Sequence, residues 1–113
     1  MITVKSPITT KELKQIAKSR FGNLIKAVVD VEKGIMVIDS DLHSDEEAVL
    51  IEQGSEQKDL WGINLYPDED EGSFIEFDSM INLRPSQNNL SRGVENEKTR
   101  KRIANIVNKF VTR

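Results

Sequence analysis

Two stretches of the chain are patterned to fold back on themselves, and that doubling constrains everything else. Residues 24–39, LIKAVVDVEKGIMVID, hold a run rich in β-branched side chains, then Glu32-Lys33-Gly34, then a second apolar run. Val and Ile suit a pleated, half-buried surface, and a short connection ending in Gly closes an antiparallel pair. LWGINLYP (60–67) and FIEFDSMINLRP (74–85) predict a second hairpin, around a PDEDEGS turn whose four acidic residues belong in water. In the expected strand over 74–85, Ile75, Phe77, Ile81 and Leu83 share one face. Glu76, Asp78, Asn82 and Arg84 share the other.

Helices flank these hairpins. Thr9 and Glu12 have the spacing of a capping box, with Ile8 and Leu13 placed to staple across it. Leu13, Ile16, Ala17 and Phe21 then recur on one face up to Gly22, which predicts a helix over 10–21. Ser44 and Glu47 repeat the capping pattern, and acidic residues in a first turn favour a short helix over 45–53, although AVLIE alone also suits a strand. Ile103, Ile106, Val107, Phe110 and Val111 form the apolar stripe of a helix over 96–111. With 113 residues and no linker or repeat, the chain reads as a single domain, 1–113. The expected class is α+β: a four-stranded, mainly antiparallel sheet with helices on one face.

Composition narrows the function classes. Charged residues make up 31% of the chain and the net charge is −3, which argues against general nucleic-acid binding. Lys98, Arg100, Lys101, Arg102, Lys109 and Arg113 make the last helix basic, but no aromatic residues interleave with them to stack bases. With no cysteine, thiolate zinc sites, disulfides and a Cys nucleophile are excluded. No apolar run reaches a membrane span and MITVKSPITT carries no signal-peptide core, so a soluble cytoplasmic protein that does not contact membrane is expected.

The single histidine, His43, lies in DSDLHSDEE. A calcium loop read from Asp41 fails, because Glu46 stands where the sharp turn needs Gly and His43 occupies the third position. A zinc site lacks a second His, so no metal and no cofactor is expected. Glu76 and Asp78, with Lys26, Asp30, Asn64 and Tyr66 from neighbouring strands, form a polar sheet face. If the loop carrying His43 folds over it, His43, Glu76 and Asp78 are candidate catalytic residues for a small hydrolase or lyase.

INLRPSQNNLSRG, residues 81–93, departs from the rest of the chain by its near-absence of apolar residues. Arg84, Ser86, Gln87, Asn88, Asn89, Ser91 and Arg92 can donate or accept many hydrogen bonds, and two arginines can grip a carboxylate or phosphate. The leading expectation is a non-enzymatic binding module using this loop for an anionic ligand or a partner protein. A loop held ready to bind should be ordered, with Arg84 paired to Asp78 or Glu76 and Ser86 or Asn88 bonded to backbone. Arg84→Ala with Arg92→Ala should then abolish binding and barely change stability.

KAVVDVEKGIMVI, DLWGINLYP and IEFDSMINLRPSQNN together resemble a family of small bacterial and archaeal proteins catalogued only as a domain of unknown function, type 5674. The resemblance spans almost the whole chain. It implies a compact α+β domain and supplies no reaction, ligand or catalytic residue.

Overall fold

The hairpin expected over 24–39 lies at the centre of the sheet. In the computed structural model, which describes all 113 residues, the chain runs β1 (Ile2–Val4), β2 (Ile8–Thr9), α1 (Thr10–Lys18), β3 (Ile25–Asp30), β4 (Ile35–Ile38), α2 (His43–Glu52), β5 (Leu60–Leu65), β6 (Ile75–Glu76), α3 (Glu97–Phe110) and β7 (Val111–Thr112). The main sheet has the order β1-β4-β3-β5-β6, every neighbour antiparallel. β2 and β7 form a separate parallel pair that ties the start of α1 to the end of α3. The protein is thus α+β, with five strands in the main sheet where four were expected. The added strand is β1, whose three residues are too few to show an alternation; it pairs Ile2 with Ile38 and Val4 with Met36.

The central turn is held by Asp30. Its buried carboxylate accepts the amides of Glu32 and Lys33, each at 2.9 Å, and the Ser55 hydroxyl at 2.6 Å. Gly34 follows at φ 68°, a left-handed position that a β-carbon would strain.

Successive strand side chains point to opposite faces, and both faces here are dry. Ala27 and Val29 join Met36, Ile38, Ile63 and Leu65 in the main core, which Leu13, Ala17, Ile103, Val107 and Phe110 cover from α1 and α3. Val28, Val37 and Leu60 face the other way and meet Leu50 of α2. The expected single helical face is therefore corrected to three layers, with the sheet between α1 and α3 on one side and α2 on the other. The reason is already in KAVVD: with both Val28 and Val29 at 0% exposure, each face of β3 needs apolar cover.

Helix ends differ from expectation by a few residues. The capping box forms as predicted, with Glu12 N bonded to the Thr9 hydroxyl at 3.1 Å and Thr9 N to the Glu12 carboxylate at 3.4 Å. α1 stops at Lys18, because the chain turns so that Gly22 N reaches Ala17 O at 2.7 Å. Phe21 falls outside the helix and is exposed beside Lys26, its ring centre 5.2 Å from that ammonium. Residues 45–53 do contain helix, but α2 begins at His43, with Leu42 as N-cap and no side-chain cap. Ser44 lies inside the first turn instead of capping it. Asn96 caps α3, its side chain accepting from Thr99 N at 3.0 Å.

The largest departure is the last strand. Only Ile75–Glu76 pairs in the sheet, and short 3-10 turns follow at Met80–Asn82 and Pro85–Gln87. Ile81 accordingly packs with the α2-side cluster and Leu83 is exposed, so neither shares a core face with Ile75 and Phe77. Gly62 marks where the chain crosses β5, since a β-carbon there would lie 2.6 Å from the Ser79 side chain.

Candidate functional site

Segment 82–92 replaces a strand along the outer edge of β5. The Asn82 amide brackets Gly62, accepting its N–H and donating to its carbonyl, each at 2.9 Å, as a neighbouring strand would. Arg84, only 8% exposed, donates to the carbonyls of Ile81 (3.0 Å), Gln57 (2.7 Å) and Leu60, and its guanidinium lies 4.3 Å from the Trp61 ring centre. Asn89 donates to Asn82, Ser91 and Gly93 carbonyls and accepts Glu95 N. Gln87 accepts from Arg84 at 3.1 Å and donates to Lys58 O at 3.0 Å.

The loop is thus tied back on the domain, as expected of an ordered segment, but through different residues. Arg84 pairs with neither Asp78 nor Glu76, because the carbonyls of Gln57, Leu60 and Ile81 converge around it and a planar fork matches them. Arg92 takes Asp78 instead, at 2.7 Å. The side chains of Ser86 and Asn88 make no internal hydrogen bond. Asn88 serves through its backbone, at φ 59°, a left-handed position Asn tolerates. A hollow of about 390 Å³ lies between Gln87, Asn88 and Asn89 and the start of α3, but most of its amides already have partners.

A second cleft, about 170 Å³, lies where the N-terminus of α2 meets this segment. Lys26, Leu42, His43, Ser44, Ser79, Met80, Ile81 and Arg92 line it. His43 is 8% exposed, and its Nε2 lies 2.7 Å from Ile63 O. A carbonyl only accepts, so Nε2 carries the hydrogen, and Nδ1 has no partner within the protein. Burial lowers the His43 pKa below its ordinary value; Lys26 and Arg92 add to this, while the Ile63 carbonyl and Asp78 oppose it. Lys26 forms no ion pair. With Leu42 as an uncapped start, the first-turn amides of His43 and Ser44 lack acceptors, as helix starts do unless something caps them.

Behind the cleft lies the polar face anticipated from the strand pattern. Asn64 donates to Glu76 at 2.9 Å and to Asp78 O at 3.3 Å, and Tyr66 donates to the same Glu76 oxygen at 2.9 Å. The buried Asn64 Oδ1 has no partner. Glu46, on α2 facing the sheet, is wholly buried with neither oxygen hydrogen-bonded. That burial pushes its pKa up to about 10, against the smaller opposing pull of the Ser40 backbone and Lys26. Asp39 and Asp41, which alternate with His43 in sequence, turn instead to Arg20 at 2.6 and 3.0 Å.

This architecture has a family. A model described as Protein of unknown function (DUF5674) matches residues 2–110. The chain belongs to that family. Among curated proteins and among solved structures, nothing matches. The family description assigns no ligand or reaction, so the chemistry rests on the geometry. No helix is long and apolar enough to cross a membrane.

Of the residues expected to act, His43 and Arg92 come together on this cleft, while Glu76 and Asp78 lie behind it bonded to other groups. Arg84, Gln87 and Asn89 support the edge of β5. Leu42, Ser44, Ser79 and Met80 were not anticipated as lining residues. Strand alternation could not reveal them, because the relevant backbone is a helix start and a 3-10 turn. The one available signal was Gly62, an interior strand glycine that marks close approach by another segment.

Proposed function

We propose that this protein is a binding module for a small anionic ligand, held in the cleft between α2 and residues 79–92. The observation that carries the proposal is convergence: Lys26 and Arg92, the hydroxyls of Ser44 and Ser79, and the uncapped first turn of α2 share one cleft. Main-chain amides, helix dipole and cations all favour the same sign of ligand. A catalytic reading would need a carboxylate on the free nitrogen of His43. Glu76 is bonded to Asn64 and Tyr66, and Asp78 to Arg92, so the existing bonds favour binding over proton relay.

Titrating inorganic phosphate and sodium acetate into isotopically labelled protein tests this. The amides of His43, Ser44 and Ser79 should shift saturably, and Lys26→Ala should weaken the response at least about fivefold, the effect of losing one well-placed charge. Uniform, non-saturating shifts, or shifts confined to residues 86–89, would remove the cleft as the site.

A further inference from the structure

The cleft has an apolar side as well as a cationic one. Leu42 and Met80, at 52% and 62% exposure, are among the most exposed large apolar residues of the chain, and both line it with Ile81. Leu42 stands on the α2 side and Met80 on the 3-10 turn that crosses β5, so they flank the cationic group from two different elements. Solvent-exposed apolar residues are ordinary when scattered, but two framing one polar cleft are an arrangement that fits an amphiphile.

The charge count narrows the head group. Arg92 is already paired with Asp78, through Nε at 2.7 Å and a second nitrogen at 3.4 Å. Burial favours the neutral form of His43, so among the lining residues Lys26 is the one cation without an ion-pair partner. One free positive charge balances a monoanion and leaves a phosphate dianion short of a partner. About 170 Å³ is below the usual span of drug-sized pockets, which suits a small molecule and not a folded segment.

Building on the anion-binding reading, we infer that the ligand is a small free monocarboxylic acid with a short apolar tail. Its carboxylate sits against Lys26, Ser44 and the first turn of α2. Its tail lies between Leu42 and Met80.

The test is a titration series of inorganic phosphate, acetate, hexanoate and hexyl phosphate, followed through the Ser44 and Ser79 amides. Hexanoate should bind about tenfold tighter than acetate, which corresponds to burying roughly half of its four additional methylenes. Leu42→Ala with Met80→Ala should remove most of that increment while leaving the acetate affinity and the melting temperature nearly unchanged, since both positions are exposed and Ala at the N-cap adds no acceptor to compete for the first-turn amides. Lys26→Ala should weaken acetate and hexanoate together. If acetate and hexanoate bind equally, the tail inference is overturned and the anion reading stands; if no anion binds, both fall. Tighter binding of hexyl phosphate than of hexanoate would overturn the monocarboxylate assignment. A leucine-terminated peptide that outcompetes hexanoate only when its carboxyl group is free would transfer the site to chain termini and overturn the free-acid assignment.

Discussion

Two polar clusters lie along the outer edge of β5, and they differ in what remains unbonded. In the segment holding Asn82, Arg84 and Asn89, the buried amides and guanidinium meet carbonyls or amides of the chain itself. Along α2 and the sheet beneath it the opposite holds: Asn64 Oδ1, both Glu46 oxygens and Glu47 Oε2, whose charge also acts on Arg84, are buried without partners, and in the cleft His43 Nδ1 and Lys26 have none within the protein. A buried polar group normally finds a hydrogen bond, so the first cluster is what ordinary folding produces and the second needs another explanation. Density of polar residues therefore marks architecture here. Unsatisfied capacity gathers instead on α2 and the sheet beneath it, beside the cleft.

Arg84 separates the two clusters by the largest effect. Arg84→Ala removes three bonds to main-chain carbonyls and the contact over Trp61, leaving the Leu60 carbonyl of β5 without that donor. Stability should fall by about 4 kcal/mol, since each orphaned buried group costs roughly 1–3 kcal/mol. Asn82→Ala, which strands both polar groups of Gly62, should cost somewhat less, about 2–3 kcal/mol. Urea unfolding measures both. A loss below about 1 kcal/mol for Arg84→Ala would show that the segment is a plain connection. For Arg84 this prediction replaces the expectation that removing Arg84 and Arg92 together leaves stability nearly intact, because its fork holds the carbonyls of Gln57, Leu60 and Ile81 and not a free ligand.

Glu46 tests the opposite cluster with the opposite sign. Its folded pKa is raised to about 10 from an ordinary 4.5, so the folded state holds a proton that the unfolded chain releases. Its contribution is intact below 4.5 and is lost progressively as pH rises toward 10. At pH 7 the penalty is about 3 kcal/mol, from 1.36 kcal/mol per unit. Glu46→Met, similar in volume and apolar, should recover about that much and flatten the decline of stability between neutral and alkaline pH. Unfolding curves at three pH values decide it; an unchanged slope would mean that Glu46 is ionised and partnered in solution.

Much of this fold was legible because it depends on local patterns. The Thr9–Glu12 capping box, the β3–β4 hairpin and the apolar stripe of α3 each repeat at the period of their own element. What escaped was non-local. The strand read over 74–85 keeps its alternation on paper, yet the chain leaves the sheet after Glu76 because side-chain amides take over the edge of β5. Nothing in the composition distinguishes an Asn that brackets a glycine from an Asn that awaits a ligand. The polar face of Lys26, Asn64, Tyr66, Glu76 and Asp78 was readable from alternation. Its apolar rim was not, since Leu42 and Met80 lie in backbone without period 2.

Arg92 sharpens the contrast with Arg84 inside one segment. Its pair with Asp78 is about half exposed on both sides, at 53% and 42%. Exposed pairs contribute little, so Arg92→Ala should lower stability by less than about 1 kcal/mol, while weakening acetate binding about twofold, less than Lys26→Ala does, because the Asp78 charge beside the cleft is then unopposed. Arg84→Ala, compared under conditions where it remains folded, should leave acetate binding unchanged. Equal effects of the two changes on binding would erase the distinction between edge and cleft.

The smallest expected effect is at His43. In the free protein burial holds its pKa below 6.5, with Lys26, Arg92 and Asp78 the charges that act on it. A lowered folded pKa means its contribution to stability is fully present above 6.5 and is lost as pH falls through the folded value, the reverse of Glu46. An anion in the cleft favours the imidazolium, whose Nδ1–H becomes a donor toward it, so saturating acetate should raise the pKa. Linkage then requires acetate to bind more tightly as pH drops through that range, to the same extent as it shifts the histidine. The carbon-bound proton of the single imidazole gives an isolated resonance to follow. A titration curve unmoved by acetate would place the bound anion away from His43, and the free nitrogen would then mark only an imperfectly packed helix start.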